Sequence, residues 1–274
     1  MIIIGEKFNS STQSVYRAMA DRDSEWVVNM AKAQCKAGAM YLDLNTAMYE
    51  EIETMEWLIE TIQSAVDVPF AFDSTDPAVI MRALEVSGAN KAYESYKANK
   101  TPKPIINSVT AEKKRLDAIA PLLSEYEASI VALCMDDHKV PETAAERLRI
   151  AGGLIESLTK MGLAADDIFI DPLVLPICTD REHGLTTLET IRLVRRHFPE
   201  VHIICGLSNI SYGLPGRSFI NQAFLISAIT AGLDSAILDV FDNQLTTLIH
   251  ACKTMLGDDD TCANWLEICR SSRI

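Results

Sequence analysis

The chain has 274 residues, of which 48% are hydrophobic, so it can bury a full core in the size range of one α/β barrel, commonly roughly 250 residues. Its formal net charge of −13 at pH 7 argues against nucleic acid or an anionic membrane as a partner, because both require clustered Lys and Arg. It has no apolar stretch of the roughly 20 residues that a membrane span needs, and its amino terminus lacks the layout of a signal peptide.

The seven cysteines are scattered along the chain and form no CxxC pair. Several lie within apolar runs, where free thiols behave as small hydrophobic side chains. Because disulfides are rare in reducing compartments, this cysteine usage predicts a cytoplasmic protein.

Eight short apolar runs alternate with longer amphipathic segments along the chain. Such runs are too short for core helices and are typical of strands buried on both faces. The predicted strands comprise residues 2–5, 41–44, 70–72, 104–106, 130–135, 168–170, 202–205 and 236–238.

The segments between these strands carry helix start and stop signals. Pro77 suits the first turn of the third helix, and Thr186 with Glu189 forms a capping-box pattern before the sixth. Glycines follow four helical segments, where the left-handed position after a helix favours them, at Gly38, Gly88, Gly162 and Gly232.

Eight strand–helix repeats predict a single-domain α/β fold, a closed (β/α)8 TIM barrel. An open doubly wound sheet is the alternative, but it would need a glycine-rich phosphate turn, and "GEKFNS" after the first strand is not one. We expect the barrel to span residues 1–257 and residues 258–274 to form a C-terminal helical extension packed on it. The lysine-rich segment 89–104 is longer than an ordinary connection and is either a solvated helical extension or a contact surface for a partner or second subunit.

Polar side chains follow the predicted strands where a barrel places its active site. Asp and Asn in such positions also cap helices, which is the alternative reading for any one of them. The strand ends supply, in chain order, Glu6, Asn9, Asp43, Asn45, Asp73, Asn107, Met135, Asp136, Asp171, Ser208, Asn209 and Asp239.

The residue types that are missing at these strand ends argue against several classes of enzyme reaction. The histidines lie in loops, in helices or at a strand start, which argues against a zinc hydrolase, and no serine stands on a nucleophile turn. If Glu6 points into the barrel, the alternation of the strand turns Lys7 outward, which argues against Schiff-base chemistry. We therefore expect no metal site.

Carboxylates accept hydrogen bonds, whereas amides donate and accept in one plane. Together they match a flat heterocycle with an amino group, ring N–H donors and a carbonyl, and a 2-amino-4-oxo pterin is such a ring. The polar strand ends are therefore candidates to bind a pterin.

Six segments, "IIIGEKFN", "YLDLN", "FAFDST", "IINSVTAE", "IFIDPLVLP" and "CGLSNISYGLPGRSFIN", carry a family resemblance. In order and spacing they resemble the pterin-binding methyltransferases. These include methyltetrahydrofolate:corrinoid protein methyltransferase and the folate-binding domain of cobalamin-dependent methionine synthase. The resemblance covers residues 2 to about 240. The chain departs from the pattern in the length of segment 89–104, at Lys7, and in "DLNTAM", which lacks a glycine turn.

The resemblance implies that Asp73, Asn107, Asp171 and Asn209 hold the pterin and that Arg217 lies near the folate or corrinoid side of the pocket. We add Glu6, Asn45 and Ser208 as substrate-binding candidates from their strand-end positions. We further interpret Asn209 as the catalytic residue, because its amide can donate to or accept from N5 of the pterin.

The resemblance also implies a homodimer that takes tetrahydrofolate or 5-methyltetrahydrofolate as substrate. Its methyl-transfer partner would be the cobalt of a corrinoid (cobalamin) bound to a separate corrinoid protein. The transfer would serve acetyl-CoA synthesis or, in the opposite direction, anaerobic demethylation. The alternatives are a non-catalytic pterin-binding scaffold, dihydropteroate synthase, and a divalent-metal lyase that uses Glu6, Asp73 and Asp171.

Overall fold

The computed structural model describes residues 1–89, 102–137 and 139–272. Eight parallel strands form a closed barrel, in which each strand pairs with the next along the chain and the eighth pairs with the first. The predicted α/β barrel is therefore confirmed. The strands are β1 (Ile2–Asn9), β2 (Tyr41–Asn45), β3 (Phe70–Asp73), β4 (Ile105–Val109), β5 (Ser129–Leu133), β6 (Ile168–Asp171), β7 (His202–Gly206) and β8 (Ser235–Leu238).

Six of the eight strands continue past the carboxyl ends predicted for them, and β1 does so by four residues. The reason is that ladder hydrogen bonds join main-chain groups, so pairing continues after the apolar run has ended. Asp73 on β3 still lies opposite Asn107 on β4 in the register of the sheet. Asp73, Asn107 and Asp171 are thus part of their strands and not of the loops that follow them.

Helices surround the barrel between consecutive strands. One of them, α1, lies between β1 and the first predicted helix and has no counterpart in the prediction. In the described residues the helices are α1 (Gln13–Ala20), α2 (Ser24–Lys36), α3 (Glu51–Gln63), α4 (Pro77–Val86), α5 (Lys113–Glu125), α6 (Ala144–Lys160), α7 (His183–His197), α8 (Arg217–Ala231), α9 (Asn243–Leu256) and α10 (Ala263–Ser272).

The helix termini confirm one predicted start signal and contradict another. Pro77 is the first residue of α4, and Asp76 before it accepts a hydrogen bond from the main-chain N–H of Ala78 at 2.8 Å. The capping box predicted at Thr186 is wrong, because α7 begins three residues earlier. The main-chain N–H of Thr186 already donates within the helix, to the carbonyl of Glu182.

A complete capping box lies instead at the start of α6. The Thr143 hydroxyl accepts from the main-chain N–H of Glu146 at 3.2 Å, and the Glu146 carboxylate accepts from the N–H of Thr143 at 3.1 Å. Each residue satisfies a main-chain donor that the helix itself leaves free.

Inside the barrel, seven inward-facing side chains form one packed layer that we call the apolar plug. Each strand from β1 to β7 contributes one of them, and His202 stacks on Phe169 at a ring separation of 4.6 Å at the amino-terminal end. The larger core lies between the outer face of the sheet and the helices. The apolar plug consists of Ile4, Tyr41, Ala71, Ile105, Val131, Phe169 and Ile204.

The lysine-rich segment 89–104 lies mostly outside the described residues, and the predicted C-terminal extension contains a helix. Beyond α9, α10 contacts that helix, and Asp259 accepts hydrogen bonds from the main-chain N–H groups of Asn264 and Trp265 at its start. The boundary at residue 257 stays a prediction. Among the described residues, no helix is both long and apolar enough to cross a membrane.

Candidate functional site

The carboxyl ends of the strands place a group of polar side chains directly above the apolar plug. Successive residues of a strand face opposite sides of the sheet, so a residue two positions after a plug residue also faces the barrel interior. Asp73, for example, follows Ala71, and Asp171 follows Phe169. We call these inward-facing side chains the polar ring; it consists of Glu6, Asp43, Asn45, Asp73, Asn107, Asp171 and Asp239.

Two amide–carboxylate pairs organise one side of the polar ring. Asn45 Nδ2 donates to Asp73 Oδ2 at 2.9 Å, and Asn107 Nδ2 donates to Asp43 Oδ1 at 3.1 Å. Each pair uses an amide donor, which leaves the side-chain oxygen of each Asn to accept from another group. The Asn45 oxygen accepts from the Ser10 hydroxyl at 3.0 Å. The amide planes are therefore fixed by the protein before any ligand binds.

The two carboxylates of these pairs share a site with little water. Burial raises the pKa of Asp43 well above its usual range, and the negative charge of Asp73 adds to the rise while the hydrogen bond from Asn107 opposes it. Burial also raises the pKa of Asp73, against the hydrogen bond from Asn45. Perturbed carboxylates at the mouth of a barrel are typical of a binding or catalytic site.

Asp171, on the opposite side, is held by its own turn. Its Oδ1 accepts from the main-chain N–H of Leu173 at 2.8 Å, and Leu173 has a φ of +66°, which non-glycine residues rarely adopt. Burial raises the pKa of Asp171 to about 6, whereas the N–H of Leu173 and the charge of Arg147 oppose the rise. Its carboxylate therefore titrates near neutral pH and can accept ring N–H donors in its ionised form.

Glu6 and Lys7 lie on the β8 side of the mouth. Glu6 accepts from the Ser208 hydroxyl at 3.2 Å, and burial and the charge of Asp239 both raise its pKa. The expectation that Lys7 points outward is wrong. A register irregularity in β1 between Gly5 and Phe8 interrupts the alternation, and Lys7 Nζ reaches Asp239 Oδ2 at 2.5 Å on the rim.

Asn209 is not at a strand end. Strand β7 ends at Gly206, and Asn209 lies exposed in the 3₁₀ turn that follows, Leu207–Ser211. Gly206 faces inward, two residues after Ile204 of the plug, and a Cβ there would lie 3.2 Å from Asn209 Nδ2. The amide of Asn209 thus folds back toward the inward face of Gly206, into space that a side chain at position 206 would fill.

Arg217, the first residue of α8, supports this turn. Its Nε donates to the Ser211 hydroxyl at 3.0 Å, and its Nη2 donates to the carbonyl of Ser208 at 2.6 Å. Both contacts are to the 3₁₀ turn that carries Ser208 and Asn209. Arg217 is thereby placed at the rim and not in the polar ring.

None of the predicted site residues caps a helix through its side chain in the described structure. The side-chain contacts at helix starts come instead from residues in the loops, which are Asp23, Asp76, Thr143, Asp242 and Asp259. Two strand-end residues make only local side-chain hydrogen bonds in the described structure: Asn9 accepts from the main-chain N–H and hydroxyl of Ser11, and Asp171 accepts from the main-chain N–H of Leu173. In the described part of the chain, no three carboxylate, imidazole or thiol groups are arranged to hold a metal ion.

Three residues of the site were not among the predicted binding residues. Asp43 could have been found from the alternation in "YLDLN", which puts it on the same face as Asn45. Gly206 and Arg147 give no such signal, because one acts by lacking a side chain and the other lies within an ordinary helical pattern.

Comparison with known proteins links this geometry to a family. The family described as "Pterin binding enzyme" matches residues 5–239. The chain is 31% identical over 279 residues to the methylcorrinoid:tetrahydrofolate methyltransferase of Eubacterium limosum, covering 100% of this chain and 98% of that protein. It is 32% identical over 253 residues to the methionine synthase of Mycobacterium tuberculosis, covering 87% of this chain but 20% of that protein.

Solved structures of dihydropteroate synthase from Yersinia pestis share the fold. A complex with a pterine-sulfa conjugate has a TM-score of 0.66 and 15% identity, covering 94% of this chain and 93% of that one. Another crystal structure of this enzyme has a TM-score of 0.66 and 16% identity, covering 93% of each chain. At this identity the likeness concerns the barrel alone.

Proposed function

Because the chain belongs to the pterin-binding enzyme family, we propose that it is a methyltransferase that moves a methyl group between N5 of tetrahydrofolate and the cobalt of a separate corrinoid protein. The observation that carries this proposal is the polar ring with its fixed amide planes, in a chain that aligns end to end with a methylcorrinoid:tetrahydrofolate methyltransferase. That full-length alignment favours transfer from the methylated corrinoid to tetrahydrofolate.

In this proposal the polar ring holds the pterin by its hydrogen-bonding edges. Asp73 and Asp171 accept from the N–H donors of the ring, and Asn107 contacts the remaining polar atoms. Asn45 orients Asp73 through the amide–carboxylate pair. Glu6 and Ser208, hydrogen-bonded to each other, line the side of the mouth nearest Asn209.

In the favoured direction the transfer is a nucleophilic displacement at the methyl carbon: the N5 lone pair forms the C–N5 bond, the cobalt leaves with the electrons of the carbon–cobalt bond, and the N5 proton is released to solvent. The reverse transfer takes up that proton. A neutral tertiary amine is a poor leaving group, so N5 requires a proton or a strong hydrogen bond. The Asn209 amide, free of hydrogen bonds to other described residues, can donate to bare N5 or accept from protonated N5. Positioning of the two reactants can supply about 7–11 kcal/mol of the barrier.

The proposed reaction requires a corrinoid protein as its partner. The corrinoid protein docks over the mouth of the barrel, because its cobalt must reach N5 of a pterin held in the polar ring. We further propose that the enzyme is a homodimer, as its family resemblance implies, and that it acts in the cytoplasm, as its cysteine usage predicts.

The test is anaerobic methyl transfer with free corrinoids. The protein is mixed with methylcobalamin and tetrahydrofolate, then with cob(I)alamin and 5-methyltetrahydrofolate, while the cobalt absorption bands are followed. We expect transfer that Asp171→Ala abolishes and that Asp76→Ala retains. Asp76 is the matched control because it caps α4 three residues beyond Asp73.

Three outcomes would contradict the proposal. Tight tetrahydrofolate binding without transfer, also in the presence of methylated corrinoid proteins, would favour a non-catalytic scaffold. Condensation of a pterin pyrophosphate with p-aminobenzoate would favour dihydropteroate synthase. Absence of pterin binding would end the pterin interpretation and reopen the metal-lyase alternative.

A further inference from the structure

Arg147, on α6, is a fully buried arginine that makes its two shortest hydrogen bonds to the turn after β6. Its Nη1 donates to the carbonyls of Pro172 at 2.9 Å and Leu173 at 2.8 Å, and its Nε donates to the carbonyl of Pro141 at 3.2 Å. A buried charge is costly unless hydrogen bonds replace water around it. These carbonyls replace water at Nε and Nη1, whereas Nη2 is buried without a hydrogen-bond partner among the described residues. The guanidinium and the turn after β6 therefore stabilise each other through Nη1.

That turn begins at Asp171 of the polar ring. Leu173 donates its main-chain N–H to the Asp171 carboxylate and offers its carbonyl to Arg147, so both charged groups bind the same residue. The positive φ of Leu173 is a conformation that surrounding contacts must enforce. Arg147 provides two of those contacts, and it thereby fixes the direction in which the Asp171 carboxylate points.

Arg147 is also the positive charge that faces Asp171 from the neighbouring element. The other titratable groups that interact with Asp171 are the buried thiols of Cys134 and Cys205, whose pKa values burial raises and which therefore stay neutral. An arginine keeps its charge in a protein interior. None of the hydrogen bonds described for Arg147 goes to a carboxylate, so its field acts on Asp171 without a closer anion to cancel it.

We propose that Arg147 is a positioning residue of the pterin site, which orients Asp171 through the turn 171–173 and keeps its carboxylate ionised for the N–H donors of the ring. The inference rests on the proposed function for its ligand. The coupling of Arg147 to Asp171 does not depend on the ligand, because it is made by hydrogen bonds within the chain.

The test separates charge from geometry with two variants and a matched control. Arg147→Met removes both the charge and the donors; Arg147→Lys keeps the charge but has one nitrogen for three carbonyls. The control is Arg195→Lys, because Arg195 also clamps carbonyls, those of Pro199, Val201 and Gly232, but at the opposite end of the barrel. Each protein is titrated with tetrahydrofolate between pH 5 and pH 8, and the Asp171 carboxylate is followed by ¹³C NMR without ligand.

We expect Arg147→Met to move the midpoint of the Asp171 titration up by about one pH unit. At pH 7 this shift lowers the ionised fraction of Asp171 only about twofold, so most of an expected loss of pterin binding of about tenfold should come from the misdirected carboxylate. Arg147→Lys should leave that midpoint near its original pH and still weaken binding at every pH. Arg195→Lys should lower the melting temperature without affecting either quantity.

An Asp171 titration unchanged in both Arg147 variants would overturn the proposal and leave Arg147 with a purely structural role. If Arg147→Met does not fold, an upward shift of the midpoint or unweakened binding in Arg147→Lys would likewise contradict it. Failure of wild-type protein to bind any pterin would refute the proposed function instead, while the ligand-free NMR titration would still decide whether Arg147 controls Asp171.

Discussion

At the level of single residues, the position of the Asn209 amide depends on what Gly206 lacks. The amide lies where a Cβ on residue 206 would make a 3.2 Å contact, tighter than ordinary van der Waals contact. Gly206 itself has a φ of −73°, which any residue can adopt, so the requirement for glycine comes from space and not from backbone conformation. A single methyl group can therefore probe the role of Asn209.

We expect Asn209→Ala to lower the rate of methyl transfer far more than it weakens pterin binding, because its hydrogen bond matters most as the bond to N5 forms or breaks. A rate loss of about 100-fold, equivalent to about 2.7 kcal/mol, with a change in pterin Kd below about threefold is the expected pattern. Single-turnover kinetics and equilibrium titration measure the two quantities. Equal losses in both would make Asn209 a binding residue.

Gly206→Ala should lower the same rate by about tenfold, since the added methyl displaces the amide of Asn209 without removing it. Stability should change by less than about 0.5 kcal/mol. The matched control is Gly153→Ala, at an exposed helical position where a Cβ would meet nothing within 4 Å, and it should leave the rate unchanged. An unaffected rate in Gly206→Ala would show that the amide does not need this position.

The ionised form of Asp171, which we propose binds the pterin, is also the form that lowers the stability of the fold. Its pKa in the folded chain, about 6, lies above the value near 3.9 of an unfolded chain. The folded state therefore holds the proton more tightly, and the stability this gives is fully present below about pH 4 and is lost as the pH rises through 6. At neutral pH the ionised carboxylate destabilises the fold.

We accordingly predict that Asp171→Asn, which keeps an acceptor for the Leu173 N–H, raises the free energy of unfolding at pH 7.5 by about 1–3 kcal/mol and weakens pterin binding. The gain should shrink toward pH 4. Urea unfolding at pH 7.5, 6 and 5 measures it, with the exposed Asp117→Asn as a control that should show no such trend. A loss of stability at pH 7.5 would contradict this interpretation.

At the level of elements, the helix starts show how far a local pattern determines structure. The Thr143–Glu146 box begins α6 with reciprocal hydrogen bonds, whereas the similar pattern at Thr186 and Glu189 lies inside α7. The same residue spacing thus occurs once as a cap and once within a helix. Only the position of the preceding loop distinguishes the two.

We expect Thr143→Ala to reduce the free energy of unfolding by about 1 kcal/mol. The main-chain N–H of Glu146 loses the Thr143 hydroxyl as its acceptor, and the reciprocal hydrogen bond from the N–H of residue 143 to Glu146 is no longer supported. Thr186→Ala should change it by less than about 0.5 kcal/mol. Urea denaturation of the two variants provides the comparison. A larger effect at Thr186 than at Thr143 would mean that the capping contacts of α6 do not contribute to stability.

The sequence predicted all eight strands because each buried strand is a short apolar run, a signal carried within a few residues. It also predicted the inward carboxylates Asp73 and Asp171, since the alternation of a strand follows from its apolar residues. It could not predict the direction of Lys7, because an irregularity in β1 depends on pairing with β2. Arg147 was missed for the same reason: its partners are main-chain carbonyls 25 and 26 residues away.

At the level of the whole molecule, the two ends of the barrel shift the pKa values of their carboxylates in opposite directions. At the amino-terminal end, Asp234 accepts from Arg195 at 2.7 Å and from the main-chain N–H of Ile203 at 2.9 Å, and it lies 3.1 Å from His202 Nδ1. Burial raises the pKa of Asp234, but the hydrogen bonds to His202 and to the N–H of Ile203 outweigh it and hold the pKa below its usual value. At the other end, four carboxylates of the polar ring have raised pKa values instead, and these belong to Glu6, Asp43, Asp73 and Asp171.

The apolar plug has a consequence for the kinetics of the proposed reaction. Because it fills the barrel beneath the polar ring, a pterin bound there can enter and leave only by the way a corrinoid protein must approach. The two reactants then cannot bind in random order. Tetrahydrofolate has to arrive before the larger partner and leave after it, so steady-state kinetics should follow a compulsory sequence, with excess corrinoid protein slowing turnover by blocking the pterin.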